Sequence, residues 1–141
     1  MDNYEIKLEE NVKRNKKFIQ EFEFWLNEKG LVQKTIKKHT SNIDLYLNNF
    51  LTYSDINKME DGINEIDSFL GDWFIRKCMW SSKSSIKENA SSIKKFYQCM
   101  KEKGYVTEED YNSLCEEIKE NMECWLEFMA DYDSGDFYSF I

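Results

Sequence analysis

Residues 18–53 read FIQEFEFWLNEKGLVQKTIKKHTSNIDLYLNNFLTY, and this stretch decides the fold. Phe18, Phe22, Trp25 and Leu26 recur at steps of three and four. Beyond Gly30, Ile36, Thr40, Ile43, Leu47, Phe50 and Leu51 do the same. Each set lays one apolar stripe along an amphipathic helix. Gly30 can take positive φ and close the first helix, with Lys29 at its negative end. So short a join forces the two helices together, and later elements must cover what remains of both stripes.

The rest of the chain continues the helical pattern. Of its 141 residues 41% are hydrophobic and 16% aromatic, which excludes disorder by composition and gives material for one substantial core. There is no proline and there are only 5 glycines, as suits long helices with short turns. Residues 1–10 read as a polar lead-in to the first helix, in phase through Leu8 and Val12 with Phe18. Asn64, with Asp67 three residues on, is the expected cap of a third helix whose apolar face is Ile66, Phe69, Leu70, Trp73 and Phe74. Ser85 and Glu88 form a capping-box pattern for a fourth, with Ile86, Ala90, Ile93, Tyr97 and Met100 inward. Gly104 ends that helix. Thr107 then caps a fifth, striped by Tyr111, Leu114, Ile118, Met122, Trp125 and Met129.

Charge is divided unevenly. Residues 1–104 hold 18 Lys/Arg against 16 Asp/Glu, and residues 105–141 hold one Lys against 11, so a net charge of −8 conceals a nearly neutral body and an acidic end. Within the body, Lys34, Lys37, Lys38 and His39 crowd the first turns of the second helix, where cations oppose the helix dipole. Helix stability does not account for them. On the fourth helix Lys87, Lys94 and Lys101 recur every seven residues, with Lys83 and Lys95 beside them and Ser84, Ser91 and Ser92 between.

Catalytic and metal motifs are missing. The sequence has no phosphate-binding glycine loop, no G-x-S-x-G and no H-E-x-x-H. Cys78, Cys99, Cys115 and Cys124 contain no C-x-x-C pair, and His39 is the only histidine, so no metal or cofactor is called for. Cys99, Cys115 and Cys124 read as reduced, partly buried helix residues. Glu116, Glu117 and Glu120 read as a solvated helix face. No signal peptide, transit peptide or membrane-spanning run is seen, which points to the cytoplasm.

The run WLNEKGL followed by TI and by apolar residues leading to FL resembles the start of the core-binding (SAM-like) domain of tyrosine recombinases of the phage-integrase type. FYQCMKEKGYVTEED, residues 96–110, is similar to that family's last DNA-contacting helix and the turn after it. The likeness spans roughly residues 10 to 110. It implies an all-α fold with a SAM-like four-helix core-binding bundle over residues 10–105, to which the residues themselves add an acidic fifth helix over 106–131 and an aromatic tail over 132–141, together one domain. It also implies double-stranded DNA as partner, held through the second and fourth helices by Lys34, Lys37, Lys38, His39, Lys83, Lys87, Lys94 and Lys95. These would be phosphate contacts for the most part, with Gln33 and Asn89 placed for base edges. The family's catalytic domain has no counterpart here, so the expectation is a non-catalytic module. The alternative is a protein-interaction module, a homodimer or a recombinase partner, acting through Trp125, Phe137, Tyr138 and Phe140. In a further variant the acidic end competes with DNA for the basic face.

Overall fold

The structure is a computed structural model and describes residues 2–135. It is all-α. Five helices follow in order: α1 (Asn3–Glu28), α2 (Gln33–Asp44, continued by a π-helical Leu45–Phe50), α3 (Ile66–Ser68, a π-helical Phe69–Trp73 and Phe74–Lys77), α4 (Lys83–Glu102) and α5 (Glu108–Ser134). A 3-10 turn, Asp61–Asn64, precedes α3, and no strand occurs among the described residues.

The helix ends follow from local chemistry, with three departures from the sequence reading. Asp2 caps α1 by accepting the Glu5 N–H at 2.8 Å, so the expected lead-in is already helical. The buried edge of that helix is Asn11, Asn15, Phe18, Phe22 and Leu26, and Val12 lies exposed. At α4 the cap sits one turn earlier than expected. Ser82 accepts from the Ser85 N–H at 3.1 Å while Ser85 Oγ accepts from the Ser82 N–H at 2.8 Å, which frees Glu88 for another role. Asn64 closes the 3-10 turn and does not cap α3, whose N-cap position is taken by Glu65 without a side-chain bond. Thr107 caps α5 as expected, accepting from Asp110 N–H at 3.0 Å, and Val32 stands at the N-cap of α2 with no side-chain bond.

Helices α1 and α4 stop in the same way. Gly30 takes φ +84°, its N–H reaching the Asn27 carbonyl and that of Leu31 the Leu26 carbonyl. Gly104 takes φ +82°, with Gly104 N–H on Lys101 and Tyr105 N–H on Met100. Both are Schellman turns, and the sequences LNEKGL and MKEKGY that make them are near-copies.

One core runs through all five helices. Phe22 of α1 meets Phe96 of α4 edge-on at 5.3 Å. The two π-helical turns face each other, bringing Phe69 within 4.9 Å of both Tyr46 and Phe50 and Trp73 within 5.5 Å of Phe50. The buried hydroxyls of Tyr46 and Tyr97 donate to the Gly62 and Met59 carbonyls at 2.5 and 2.7 Å, pinning the chain between α2 and α3. Burial pushes both phenols well above their ordinary pKa. All four cysteines are free: Cys78 and Cys99 are buried, Cys115 is half-buried, and Cys124 is exposed where partial burial was expected. Burial pushes the Cys99 thiol up to about 12. Among the described residues no helix is long and apolar enough to cross a membrane.

Candidate nucleic-acid interface

Helices α2 and α4 pack directly on each other, and the nominated residues divide between their seam and their outer surfaces. His39 belongs to the seam. It is 7% exposed, its Nδ1 lies 2.7 Å from Ser92 Oγ, and Ser92 is itself fully buried. The Ser92 hydroxyl also accepts from Asn42 Nδ2 at 3.0 Å and donates to the Glu88 carbonyl at 3.1 Å. With its one proton directed to Glu88, Ser92 is satisfied when His39 carries its proton on Nδ1 and donates it. Burial lowers the imidazole pKa first, and Lys95 and Lys38 lower it further against an opposing pull from Glu88. This histidine is therefore not a surface phosphate ligand. The expected exposure fails because residue 39 falls in phase with Ile36 and Ile43, three after one and four before the other, on the buried stripe of α2.

Two more residues move inward. Asn89 is 2% exposed and donates to the Ser85 carbonyl at 2.8 Å, so it does not reach a base edge. Ser92, set among the lysines in the sequence, lies at the helix contact. Gln33 donates to Asn27 Oδ1 at 2.7 Å. The side chains nominated for sequence reading are thus engaged within the chain.

The lysines remain outside. Lys34, Lys37 and Lys38 line one shallow groove with Thr35 and Ser41. Lys38 is tied across the seam by an ion pair to Glu88. Lys34, Lys37, Lys83, Lys87 and Lys94 are exposed and Lys95 is half-buried, and among the described residues none of the six makes an ion pair. At about 100° per residue, Lys83, Lys87, Lys94 and Lys101 fall within roughly 40° of one another around α4, and Lys95 lies about 100° further round, on the side of α2. On the other flank Lys101 lies over the Tyr111 ring of α5 at 4.6 Å. The glutamates of α4 on this outer surface are Glu88, held by Lys38, and Glu102 in the last turn.

Helix α5 uses its apolar stripe within the chain. Trp125 is fully buried, and its Nε1 donates to Asp67 Oδ1 of α3 at 2.7 Å, so it is not available to a partner. Phe137, Tyr138 and Phe140 lie outside the described residues. Glu108, Glu109, Glu116, Glu117 and Glu120 line an open groove on α5 with Asn112 and Ser113. Among the described residues no ion pair joins these carboxylates to the lysines of α4. Burial, then Asp67 and Glu65, raise the pKa of Glu117. The described residues contain no grouping of His, Cys, Asp and Glu able to hold a metal ion.

Sequence reasoning missed Asn42 and Glu88, the partners that fix this seam. Their signal was positional: Asn42 and Ser92 flank the apolar stripes of α2 and α4 at helical spacing, but polarity hid them. No protein-family model, curated protein or solved structure matches the chain.

Proposed function

We propose that the chain is a non-catalytic DNA-binding module, similar to the core-binding domain of tyrosine recombinases, which grips the phosphate backbone through α2 and α4. One observation carries this reading. In a protein of net charge −8, two helices packed side by side carry six lysines, five exposed and Lys95 half-buried, that serve no ion pair among the described residues. Lys34 also stands in the first turn of α2, where the helix dipole disfavours a cation. With Asn89 buried and Gln33 bonded to Asn27 at the surface, the contacts are mostly to phosphate.

Fluorescence anisotropy with a short duplex over a range of salt tests it. Six phosphate contacts give a log–log salt slope near −5, hence a loss of about a thousandfold between 50 and 200 mM salt. Lys37→Ala and Lys87→Ala should each flatten the slope by about 1. Lys16→Ala, on the exposed face of α1, should leave it unchanged. Absence of salt-dependent binding, or equal losses from all three variants, would overturn the proposal.

A further inference from the structure

The connection between α3 and α4 carries an apolar tip that the fold does not use. Cys78 is buried, its N–H bonded to the Phe74 carbonyl at 3.1 Å, and the Ser81 N–H returns to the Cys78 carbonyl at 3.0 Å. This closes a four-residue turn with Met79 and Trp80 at its two central positions. The Ser81 hydroxyl holds the Ile75 carbonyl at 3.2 Å, and the Ser82–Ser85 cap fixes the far side. Turn centres are ordinarily Gly, Pro, Asn, Asp or Ser. Here they are methionine and tryptophan, with Met79 fully exposed and Trp80 62% exposed.

The charge around the tip is basic. Lys77 precedes it and lies over the exposed Tyr53 ring at 5.2 Å, and Lys83 and Lys87 follow on α4. Arg76 is neutralised by a two-pronged bond to Asp72 at 2.7 and 2.9 Å. An apolar pair with an aromatic face, set at the head of a lysine row, fits a ligand that offers both π surfaces and regular negative charge. The row from Lys83 to Lys101 extends about 27 Å along the helix axis, the layout of a strand being tracked. A membrane would engage only the cations ringing the tip.

We propose that Met79 and Trp80 form a stacking subsite for a nucleobase, entering a base step of the duplex while the lysines hold the flanking phosphates. This inference rests on the DNA-binding reading and adds to it a contact with bases that depends on unstacking, not on hydrogen bonding.

The test uses the full chain with a labelled duplex containing a central TA step and with the matching single strand. Trp80→Ala should weaken binding by about 5- to 150-fold at every salt concentration without altering the salt slope, because a stacked base is lost and no phosphate contact is. Trp80→Phe should restore most of the affinity, and DNA should quench indole fluorescence in the wild type but not in Trp80→Phe. Thermal unfolding of Trp80→Ala should match wild type, since the indole is largely in solvent. If Trp80→Ala binds like wild type while Lys87→Ala is weakened, the stacking subsite falls and the phosphate-binding reading stands. If no variant and no wild-type protein binds either DNA, both fall. Sedimentation with phosphatidylserine vesicles that depends on Trp80, with DNA affinity unaffected by it, also overturns the proposal.

Discussion

Replacing Trp125 separates a core role from an interface role more sharply than any other change. The indole is fully buried between α5 and α3, and a Cβ added at Gly71 would lie 3.1 Å from its Cδ1 and 3.2 Å from its Nε1. A buried tryptophan removes about 200 Å² from water, or roughly 5 kcal/mol at 25 cal/mol per Å². Trp→Ala truncations in cores cost about 3–5 kcal/mol once partial relaxation is included. The Nε1 bond to Asp67 adds about 1 kcal/mol, held down because Asp67 is exposed and recovers water. Trp125→Ala should therefore cost about 4 kcal/mol, a large fraction of the 5–15 kcal/mol typical of a domain. In urea unfolding followed by helical ellipticity this appears as a lower midpoint with an unchanged slope. Trp125→Phe, which keeps most of the ring and loses the bond, should cost about 1–2 kcal/mol. Gly71→Ala sets a methyl in tight contact with the indole and 3.2 Å from Asp67 Oδ1, against a helix-propensity gain of about 1 kcal/mol, so it should be better tolerated beside Trp125→Ala than in wild type. A Trp125→Ala protein with wild-type stability would refute the docking of α5 and return Trp125 to the surface.

Two further outcomes follow from buried polar groups. His39 has a folded pKa below its ordinary 6.5 because burial, and then Lys95 and Lys38, disfavour the imidazolium against Glu88. Its contribution is complete above 6.5 and is lost as pH falls through that value, when the unfolded chain takes the proton first, with a slope of at most about 1.4 kcal/mol per pH unit. Unfolding at pH 7.5 and 5.5 should show this loss in wild type and not in His39→Gln; identical pH dependence in the two would refute it. Asn11 is 4% exposed, and among the described residues neither its Oδ1 nor its Nδ2 has a hydrogen-bond partner, a state that costs about 1–3 kcal/mol. Asn11→Leu should raise the denaturation midpoint by about 1 kcal/mol of stability, and a lowered midpoint would mean that the amide has partners there.

The sequence was most informative where backbone chemistry acts over a few residues. Gly30, Gly104 and Thr107 end or begin helices as their residue types require, and the stripes of α3, α4 and α5 face the core as their spacing predicts, with Trp73, Ile118 and Met122 half-buried at its edge. It was least informative where phase and polarity disagree. Phe18, Phe22 and Leu26 extend backwards at helical spacing to Asn15 and Asn11, but a reading by hydrophobicity moves to Val12 and Leu8. Asn15 is buried because its Nδ2 donates to Asn48 Oδ1 at 2.8 Å, a bond across 33 residues that no local pattern encodes. The π-helical turns were equally hidden. Each adds a residue to a helical turn, and the aromatic contacts between α2 and α3 that accompany them are tertiary. Spacing alone reads both segments as ordinary helix.

The same distinction organises the proposed interface. The polar residues of α2 and α4 divide into an inner and an outer set, with different physical tasks. His39, Ser92, Asn42 and the Lys38–Glu88 pair bond across the seam, and each bond joins α2 to α4. Such directional contacts fix the rotation and offset of two helices more narrowly than apolar packing does, since a hydrogen bond weakens steeply with angle and a methyl contact does not. The outer lysines have flexible stems and no ion pair among the described residues, so their helices hold them in register. A polyanion with a fixed repeat needs that register, and the seam supplies it. Polarity at positions 39 and 92 is then explained without contact to DNA: these residues set the spacing of the cations that would make it.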